Sequence, residues 1–143
     1  VTRGDVIIPF KAIREEGTSY HYLPPYTYAE ADTVLTNKLI DAFKAKEISV
    51  NVGDTWTTDG IYRETKKKIA RYRENGVLTV EMEAAAHFAV GKFRGIKTAA
   101  VFLAGDCVGG DEWDARRDEE SMKRGKESEK QVLDVILQTL SKT

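Results

Sequence analysis

Short apolar segments alternate along this chain with amphipathic segments of helical length, and this alternation most restricts how the chain can fold. Strands are predicted over residues 6–13, 48–56, 77–81 and 97–104, and helices over residues 33–45, 63–74, 82–93 and 118–140. Strands that alternate with helices of this length form a largely parallel sheet with helices on its faces. The sequence therefore predicts an α/β fold, in one domain of 143 residues.

Local residue choices refine these elements. Pro9 is expected to place the first strand at a sheet edge or to introduce a bulge, because proline cannot donate a backbone hydrogen bond. Asp32 or Thr33 can cap the first helix, and the charged first half of the last helix is expected to face solvent. The residues expected to face the core are Val34, Leu35, Leu39, Ile40 and Phe43 in the first helix and Leu133, Ile136, Leu137 and Leu140 in the last.

Composition excludes several classes of protein. The 22 Lys and Arg residues against 23 Asp and Glu give a formal net charge of −1, which argues against a nucleic-acid binder. No apolar run reaches the length of about 18 residues that a membrane helix needs. A single cysteine, Cys107, excludes an intramolecular disulfide, so we expect a cytoplasmic protein with neither nucleic acid nor membrane as partner. The chain opens at Val1 with no initiator Met or signal peptide, and we expect it to be the C-terminal portion of a longer protein.

Acidic residues follow two of the predicted strands. Strand 77–81 ends in Glu81-Met82-Glu83, and strand 97–104 is followed by Gly105-Asp106. In open α/β sheets ligands bind beyond the carboxyl ends of the strands, so neighbouring parallel strands would bring these groups into one pocket. We expect Glu81 and Glu83 to differ in environment, one facing the pocket and one tied into the structure. Both glutamates can equally well be acidic residues that the dipole at a helix N-terminus favours. Asp106 can be either a turn or cap residue or a general acid.

Other candidate residues carry weaker signals. Trp56 closes a predicted strand and serves either as core packing or as a stacking surface for a flat heterocycle. Arg63 is either a surface residue or a donor to a ring carbonyl. Glu83 and His87 lie four residues apart on one helix face, but no third ligand lies near them in sequence, so no metal site is predicted. Cys107 is expected to be a small buried side chain, because no histidine lies close to it in sequence.

Five segments in a fixed order link the chain to a known family. They are GDVIIP at residues 4–9, EGTSYHYLPP at 16–25, WTTD at 56–59, VEMEAA at 80–85 and Gly105-Asp106. With these segments the chain resembles the nucleoside phosphorylase family of uridine phosphorylase and hexameric purine nucleoside phosphorylase, over the C-terminal part of the family's domain. The resemblance implies a three-layer sandwich with a mixed, mostly parallel sheet, incomplete at its N-terminus. It also implies an enzyme that uses inorganic phosphate, and no other cofactor, to split a nucleoside into free base and ribose 1-phosphate.

The resemblance also assigns roles to residues of this chain. Glu83 would bind the ribose hydroxyls, Met82 would pack on the sugar, and Glu81 belongs to the same substrate-binding segment. Trp56 would stack on the base, and Asp106 would protonate a purine leaving group. Arg116 or Arg117 would assist Asp106, while the roles of Arg63 and His21 stay open.

The same resemblance limits what this chain is expected to do alone. The family's phosphate-binding arginines and glycine-rich stretch lie in the N-terminal half, so we expect this chain by itself to be inactive. Members form homo-oligomers, as dimers or trimers of dimers. The loop at residues 17–25 is similar to uridine phosphorylases and favours uridine, whereas Asp106 is similar to the purine enzymes. Two alternatives are a nucleosidase of the same fold that uses water and a nucleoside-binding fragment without turnover.

Overall fold

The computed structural model describes residues 1–25 and 28–141, and the elements below lie within them. The strands are β1 (Val6–Ile8), β2 (Lys11–Glu15), β3 (Tyr28–Glu30), β4 (Val50–Val52), β5 (Asp54–Thr58), β6 (Val77–Glu81) and β7 (Phe102–Leu103). The helices are α1 (Thr33–Ala45), α2 (Lys66–Glu74), α3 (Ala84–Arg94) and α4 (Glu119–Leu140), with short 3-10 helices at Thr18–His21 and Ile61–Arg63. In this described part of the chain no helix combines the length and apolarity needed to span a membrane.

The strands form two sheets. Strand β1 lies between β4 and β7 in a three-stranded sheet, and the four-stranded sheet has the order β3-β2-β5-β6. Strand β1 runs parallel to β4, and β5 runs parallel to both β2 and β6. The antiparallel pairs are β1 with β7 and β2 with β3. The predicted α/β class, with mostly parallel strand pairing, is confirmed.

Two strands predicted as continuous each divide between the two sheets. Residues 6–13 divide at Pro9 and Phe10 into β1 and β2, and residues 48–56 divide at Gly53 into β4 and β5. Proline has no N–H to continue a ladder. A Cβ on Gly53 would lie 2.5 Å from the side chain of Leu78 on β6, so only glycine fits at that turn between sheets. The segments remain partners on both sides of the break, since β1 pairs with β4 and β2 with β5.

The predicted strand 97–104 is much shorter in the structure, and it does not lie next to the strand at residues 77–81. Only Phe102–Leu103 forms a strand, and it runs antiparallel to β1. Strand β6 instead pairs with β5 in the other sheet. The acidic residues after β6 and after β7 are therefore not brought together by parallel pairing of those strands.

Helices cover both faces of the four-stranded sheet. On one face Ala12 packs in a cluster with Ala84, Ala85 and Phe88 of α3. On the opposite face the next residue, Ile13, packs with Trp56 and with Tyr72 of α2. The three-stranded sheet has its own core, built from β1, α1 and α4 and comprising Val6, Ile8, Leu39, Ile40, Phe43, Val132 and Val135. The helices thus form the outer layers around the sheets, as an α/β sandwich requires.

The predicted core face of α4 is wrong in part. Val132, Val135 and Thr139 are buried, whereas Leu133, Leu137 and Leu140 are each more than half exposed. Ile136 is packed against the core as predicted. Apolar residues occupy two adjacent stripes of this helix, and only one of them meets β1 and α1, so the periodicity alone did not separate them. Val34 on α1 is likewise exposed rather than buried.

Helix ends follow the sequence closely. The carboxylate of Asp32 accepts a hydrogen bond from the backbone N–H of Leu35 at 2.7 Å, and Asp118 caps α4 through Ser121 at 2.9 Å. Helix α3 ends at Gly95, whose φ of 66° lies in the left-handed region that glycine favours. Helix α2 begins at Lys66 after the cap residue Thr65, three residues later than predicted, because a separate 3-10 helix occupies Ile61–Arg63.

Candidate active site

A cavity of about 700 Å³ lies between strand β6 and the segment that runs through β7 into the following loop. Its lining includes residues 77–81 on one side and residues 101–109 on the other. Three predicted site residues, Trp56, Glu81 and Asp106, belong to this lining. Its volume falls within the range of about 300–1,000 Å³ that is usual for small-molecule sites. The two acidic strand ends therefore meet across a cavity, although their strands belong to different sheets.

Glu81 is held by hydrogen bonds on both carboxylate oxygens. Oε1 accepts from the hydroxyls of Thr57 at 2.5 Å and Thr55 at 3.3 Å. Oε2 accepts from the backbone N–H groups of Glu83 at 2.8 Å and Ala84 at 2.6 Å, which satisfies two free donors at the start of α3. Thr57 in turn accepts from the backbone N–H of Ala85. Glu81 thus ties the end of β6 to the beginning of α3.

Met82 and Glu83 lie on the exposed turn that Glu81 fixes. Both are exposed, and neither belongs to the cavity lining described above. Glu83 occupies the N-cap position of α3, but its side chain makes no capping bond there. Among the described residues its carboxylate has no hydrogen-bond partner. The two glutamates differ in environment because Glu83 lies beyond the end of β6, at the N-cap of α3. Glu81 is both bound within the structure and part of the cavity lining, whereas Glu83 lies outside that lining with its carboxylate exposed.

Trp56 is a core residue that also forms part of the cavity wall. Its side chain is only 2% exposed and packs against Tyr72, with ring centroids 4.8 Å apart. The Lys68 ammonium lies 5.6 Å from the Trp56 ring centroid. In this arrangement α2 covers the indole, so core packing accounts for most of its surroundings.

Asp106 is exposed and makes one side-chain hydrogen bond within the described chain. Its Oδ2 accepts from the indole Nε1–H of Trp113 at 2.5 Å. A second carboxyl, Glu64, lies near it. Burial raises the pKa of the Glu64 carboxyl, and the negative charge of Asp106 raises this pKa further. Sequence reasoning missed Trp113, which lies in an irregular segment with no period to place it. It also missed Glu64, which the predicted helix 63–74 included but which the structure places between the 3-10 helix and the cap residue Thr65.

The loop that carries Asp106 is closed by a short antiparallel bridge. The backbone groups of Cys107 and Asp114 exchange hydrogen bonds of 2.8 and 2.9 Å. The Arg73 guanidinium from α2 donates to the carbonyl oxygen of Gly109 at 2.5 Å and so ties the loop to the four-stranded sheet. Cys107 is partly buried within this loop rather than fully buried as predicted.

The arginines expected to assist Asp106 differ in their positions. Arg116 belongs to the cavity lining, and its Nη1 donates to the Val1 carbonyl oxygen at 2.9 Å. Its φ of 47° is unusual for a residue with a side chain. Arg117 and Arg63 are exposed and lie outside the cavity lining.

The loop at the end of β2 is organised around Arg14. This buried guanidinium donates to the Ser19 hydroxyl at 2.8 Å and to the Leu23 carbonyl oxygen at 3.1 Å. The backbone N–H of Gly17 donates to Asp59 at 3.1 Å, which ties the loop to the end of β5. His21 is exposed and contributes no bond to this network. The residues of this loop segment thus serve mainly to hold it across the ends of β2 and β5.

No group of three or more His, Cys, Asp or Glu side chains that could hold a metal occurs among residues 1–25 and 28–141. His87 is exposed one helical turn beyond Glu83, and the structure brings no third ligand to this pair.

Relatives by sequence are nucleoside phosphorylases. The guanosine phosphorylase of Halorubrum lacusprofundi is 26% identical over 139 residues, which cover 96% of this chain and 58% of that protein. A DeoD-type purine nucleoside phosphorylase of Bacillus cereus is 30% identical over 105 residues, which cover 73% of this chain and 45% of that protein. The chain thus spans about half the length of the curated relatives that it matches.

Solved structures and a family model agree with this result. Uridine phosphorylase from Vibrio fischeri matches the whole chain with a TM-score of 0.85 at 22% identity, over 58% of its own length. The P. knowlesi homologue of P. falciparum PNP matches 97% of the chain with a TM-score of 0.74, also at 22% identity, over 54% of its own length. At that identity the likeness concerns the fold. The model of the phosphorylase superfamily matches residues 1–141, and the chain belongs to that superfamily.

Proposed function

We propose that this chain forms the ribose and base side of a nucleoside phosphorylase site, and that the nucleoside is a purine nucleoside. The observation that carries the proposal is the cavity of about 700 Å³ whose lining joins the end of β6 to Asp106. The names of the two relatives by sequence, a guanosine phosphorylase and a purine nucleoside phosphorylase, support a purine base.

Glu83 is proposed to bind the ribose. Its carboxylate is exposed and has no partner among the described residues, so both oxygens are available to accept bonds from two sugar hydroxyls. Glu81 fixes the backbone N–H of Glu83 at 2.8 Å and so holds the turn in place before a ligand arrives. Met82, which is about half exposed on the same turn, would pack on the apolar edge of the sugar.

Asp106 is proposed to act on the base. When the bond between sugar and base breaks, the electron pair of that bond stays on the base, and a carboxylic acid that donates a proton to a ring nitrogen neutralises the charge. Asp106 belongs to the cavity lining while its side chain remains exposed, so a bound base can reach it. The Asp106 proton goes to the base, and Asp106 is left as a carboxylate.

The phosphate co-substrate is proposed to be bound by residues outside this chain. The two arginines of the cavity lining, Arg73 and Arg116, already donate to the carbonyl oxygens of Gly109 and Val1. We therefore expect this chain alone to bind a purine nucleoside without turning it over.

Calorimetric titration of the chain with guanosine, inosine and hypoxanthine tests this division. Glu83→Gln should weaken nucleoside binding about tenfold and leave binding of the free base unchanged, because the base carries no ribose hydroxyls. Asp106→Asn should retain nucleoside binding. Glu127→Gln, an exposed glutamate on α4, is the matched control and should change neither affinity.

Three outcomes would contradict the proposal in different ways. Failure to bind guanosine and inosine at millimolar concentration would reject a nucleoside site in this chain. An equal loss of nucleoside and base affinity in Glu83→Gln would remove the ribose role of Glu83. Release of base in phosphate-free buffer would indicate hydrolysis by water instead of phosphorolysis.

A further inference from the structure

The exposed indole of Trp113 has a specific contact at the candidate site. Its Nε1–H donates to Oδ2 of Asp106 at 2.5 Å, although the side chain of Trp113 is 62% exposed. An indole N–H is a donor only, so this contact fixes the direction of the bond. The other oxygen of Asp106, Oδ1, accepts no hydrogen bond from the described residues. One oxygen of Asp106 is therefore held by the protein, while the other is left for a ligand.

The backbone of the loop supports this contact. Asp106 immediately precedes Cys107, and Trp113 immediately precedes Asp114, the two residues that form the antiparallel bridge. The reciprocal backbone bonds of 2.8 and 2.9 Å hold the two sides of the loop together. Arg73 binds the carbonyl oxygen of Gly109 between them. The position of Trp113 relative to Asp106 thus depends on a closed loop and not on a free side chain.

We propose that Trp113 is a positioning residue for Asp106, which holds Oδ2 so that Oδ1 meets a ring nitrogen of a purine base. This inference rests on the proposed function, since it assigns a partner to the residue proposed to protonate the base. An exposed aspartate without such a contact samples several rotamers, and a ligand that binds it must pay the entropy of ordering it. A contact that orders the side chain before binding removes this cost. The relevant base atom is N7, the imidazole-ring nitrogen that is not bonded to the sugar.

Binding of two bases tests the contact with Oδ1. Free hypoxanthine can carry a hydrogen on N7 and donate it to Oδ1, whereas 7-methylhypoxanthine cannot. Trp113→Phe, which removes the indole donor, should weaken hypoxanthine binding about tenfold and leave 7-methylhypoxanthine binding unchanged. Trp113→His, which returns a ring N–H, should restore part of the hypoxanthine affinity. Equal losses for both bases, or no recovery with histidine, would overturn the positioning role.

Fluorescence gives a readout that needs no ligand. The chain has two tryptophans, so Trp113→Phe leaves only the buried Trp56, and the difference from the unmodified chain reports Trp113. Asp106→Ala should move the Trp113 emission and anisotropy toward those of a freely solvated indole. It should leave the Trp56 emission of the Trp113→Phe variant unchanged. No change of the Trp113 signal in Asp106→Ala would overturn the contact itself.

The two measurements separate failure of this inference from failure of the proposed function. If hypoxanthine binds but Trp113→Phe leaves its affinity unchanged, the positioning role is wrong and the base site stands. If the Trp113 signal responds to Asp106→Ala but no purine nucleoside or base binds, the proposed function is wrong, and the positioning role falls with it.

Discussion

The two sides of the candidate site are built in different ways. On the β6 side, Glu81 receives four hydrogen bonds from the sheet and from the start of α3. On the other side, Asp106 is exposed and lies on a loop closed by the bridge between Cys107 and Asp114, and within the described chain its carboxylate accepts one bond, from an exposed indole. The β6 side of the cavity is therefore held by the hydrogen bonds of regular secondary structure, whereas the Asp106 side is held by contacts within one irregular loop. Substitution of Glu81 should therefore lower stability, whereas substitution of Trp113 should change ligand binding more than stability.

The largest contrast is expected between the two tryptophans. Trp56 is 2% exposed and packed on Tyr72, so Trp56→Ala leaves a cavity and should lower the free energy of unfolding by about 4 kcal/mol. Trp113 is 62% exposed, and Trp113→Ala should lower it by about 0.5 kcal/mol or less. Urea unfolding followed by circular dichroism measures both values. Similar losses in the two variants would mean that the loop after β7 is as much a part of the core as β5 is.

The next contrast compares two glutamates two residues apart. Glu81→Ala removes the acceptor for two backbone N–H groups and two threonine hydroxyls, and should cost about 3 kcal/mol of stability. Glu83→Ala, which breaks no hydrogen bond of the described chain, is the control and should cost less than about 0.5 kcal/mol. Urea unfolding measures the difference in stability between the two variants, from their midpoints when the dependence of the free energy on urea concentration is unchanged. Equal costs would show that Glu83 is also a structural residue and would weaken its proposed role toward ribose.

Sequence reasoning succeeded where the determinants are local. The bounds of β6 and the cap residue Asp32 depend on a few neighbouring residues. These signals act within one turn or one strand, so the local sequence carries them.

Other features depend on contacts between distant segments. Nothing near Gly53 in the sequence indicates that Leu78 leaves no room for a side chain there, so the division of the strand between two sheets was missed. The two apolar stripes of α4 are equivalent in pattern, and only the position of β1 and α1 decides between them. The Trp113 contact with Asp106 lies in an irregular loop, where no periodicity relates one side chain to another. The rigid side of the candidate site was therefore more predictable than the side carried by the loop.

The smallest expected effect lies on the loop side and concerns pH. Burial, and secondly the Asp106 charge, raise the pKa of Glu64 above its ordinary value of 4.5 in the folded chain. Between that ordinary value and the raised one, the folded chain binds more protons than the unfolded chain, so Glu64 makes stability fall as pH rises. Because Glu64 is only partly buried and solvent still screens its charge, we expect a loss of about 0.5 kcal/mol or less.

Urea unfolding measured from pH 4 upward tests whether Glu64 causes this fall of stability with rising pH. Glu64→Gln should remove the decline in stability that begins near pH 4.5, because glutamine does not titrate. Asp106→Asn should reduce the decline only in part, since burial is the larger cause of the raised pKa. A decline that is unchanged in Glu64→Gln would assign it to another group. If Asp106→Asn abolished the decline completely, the repulsion between the two carboxylates would outweigh burial, and the two carboxyls would have to be treated as one coupled acid.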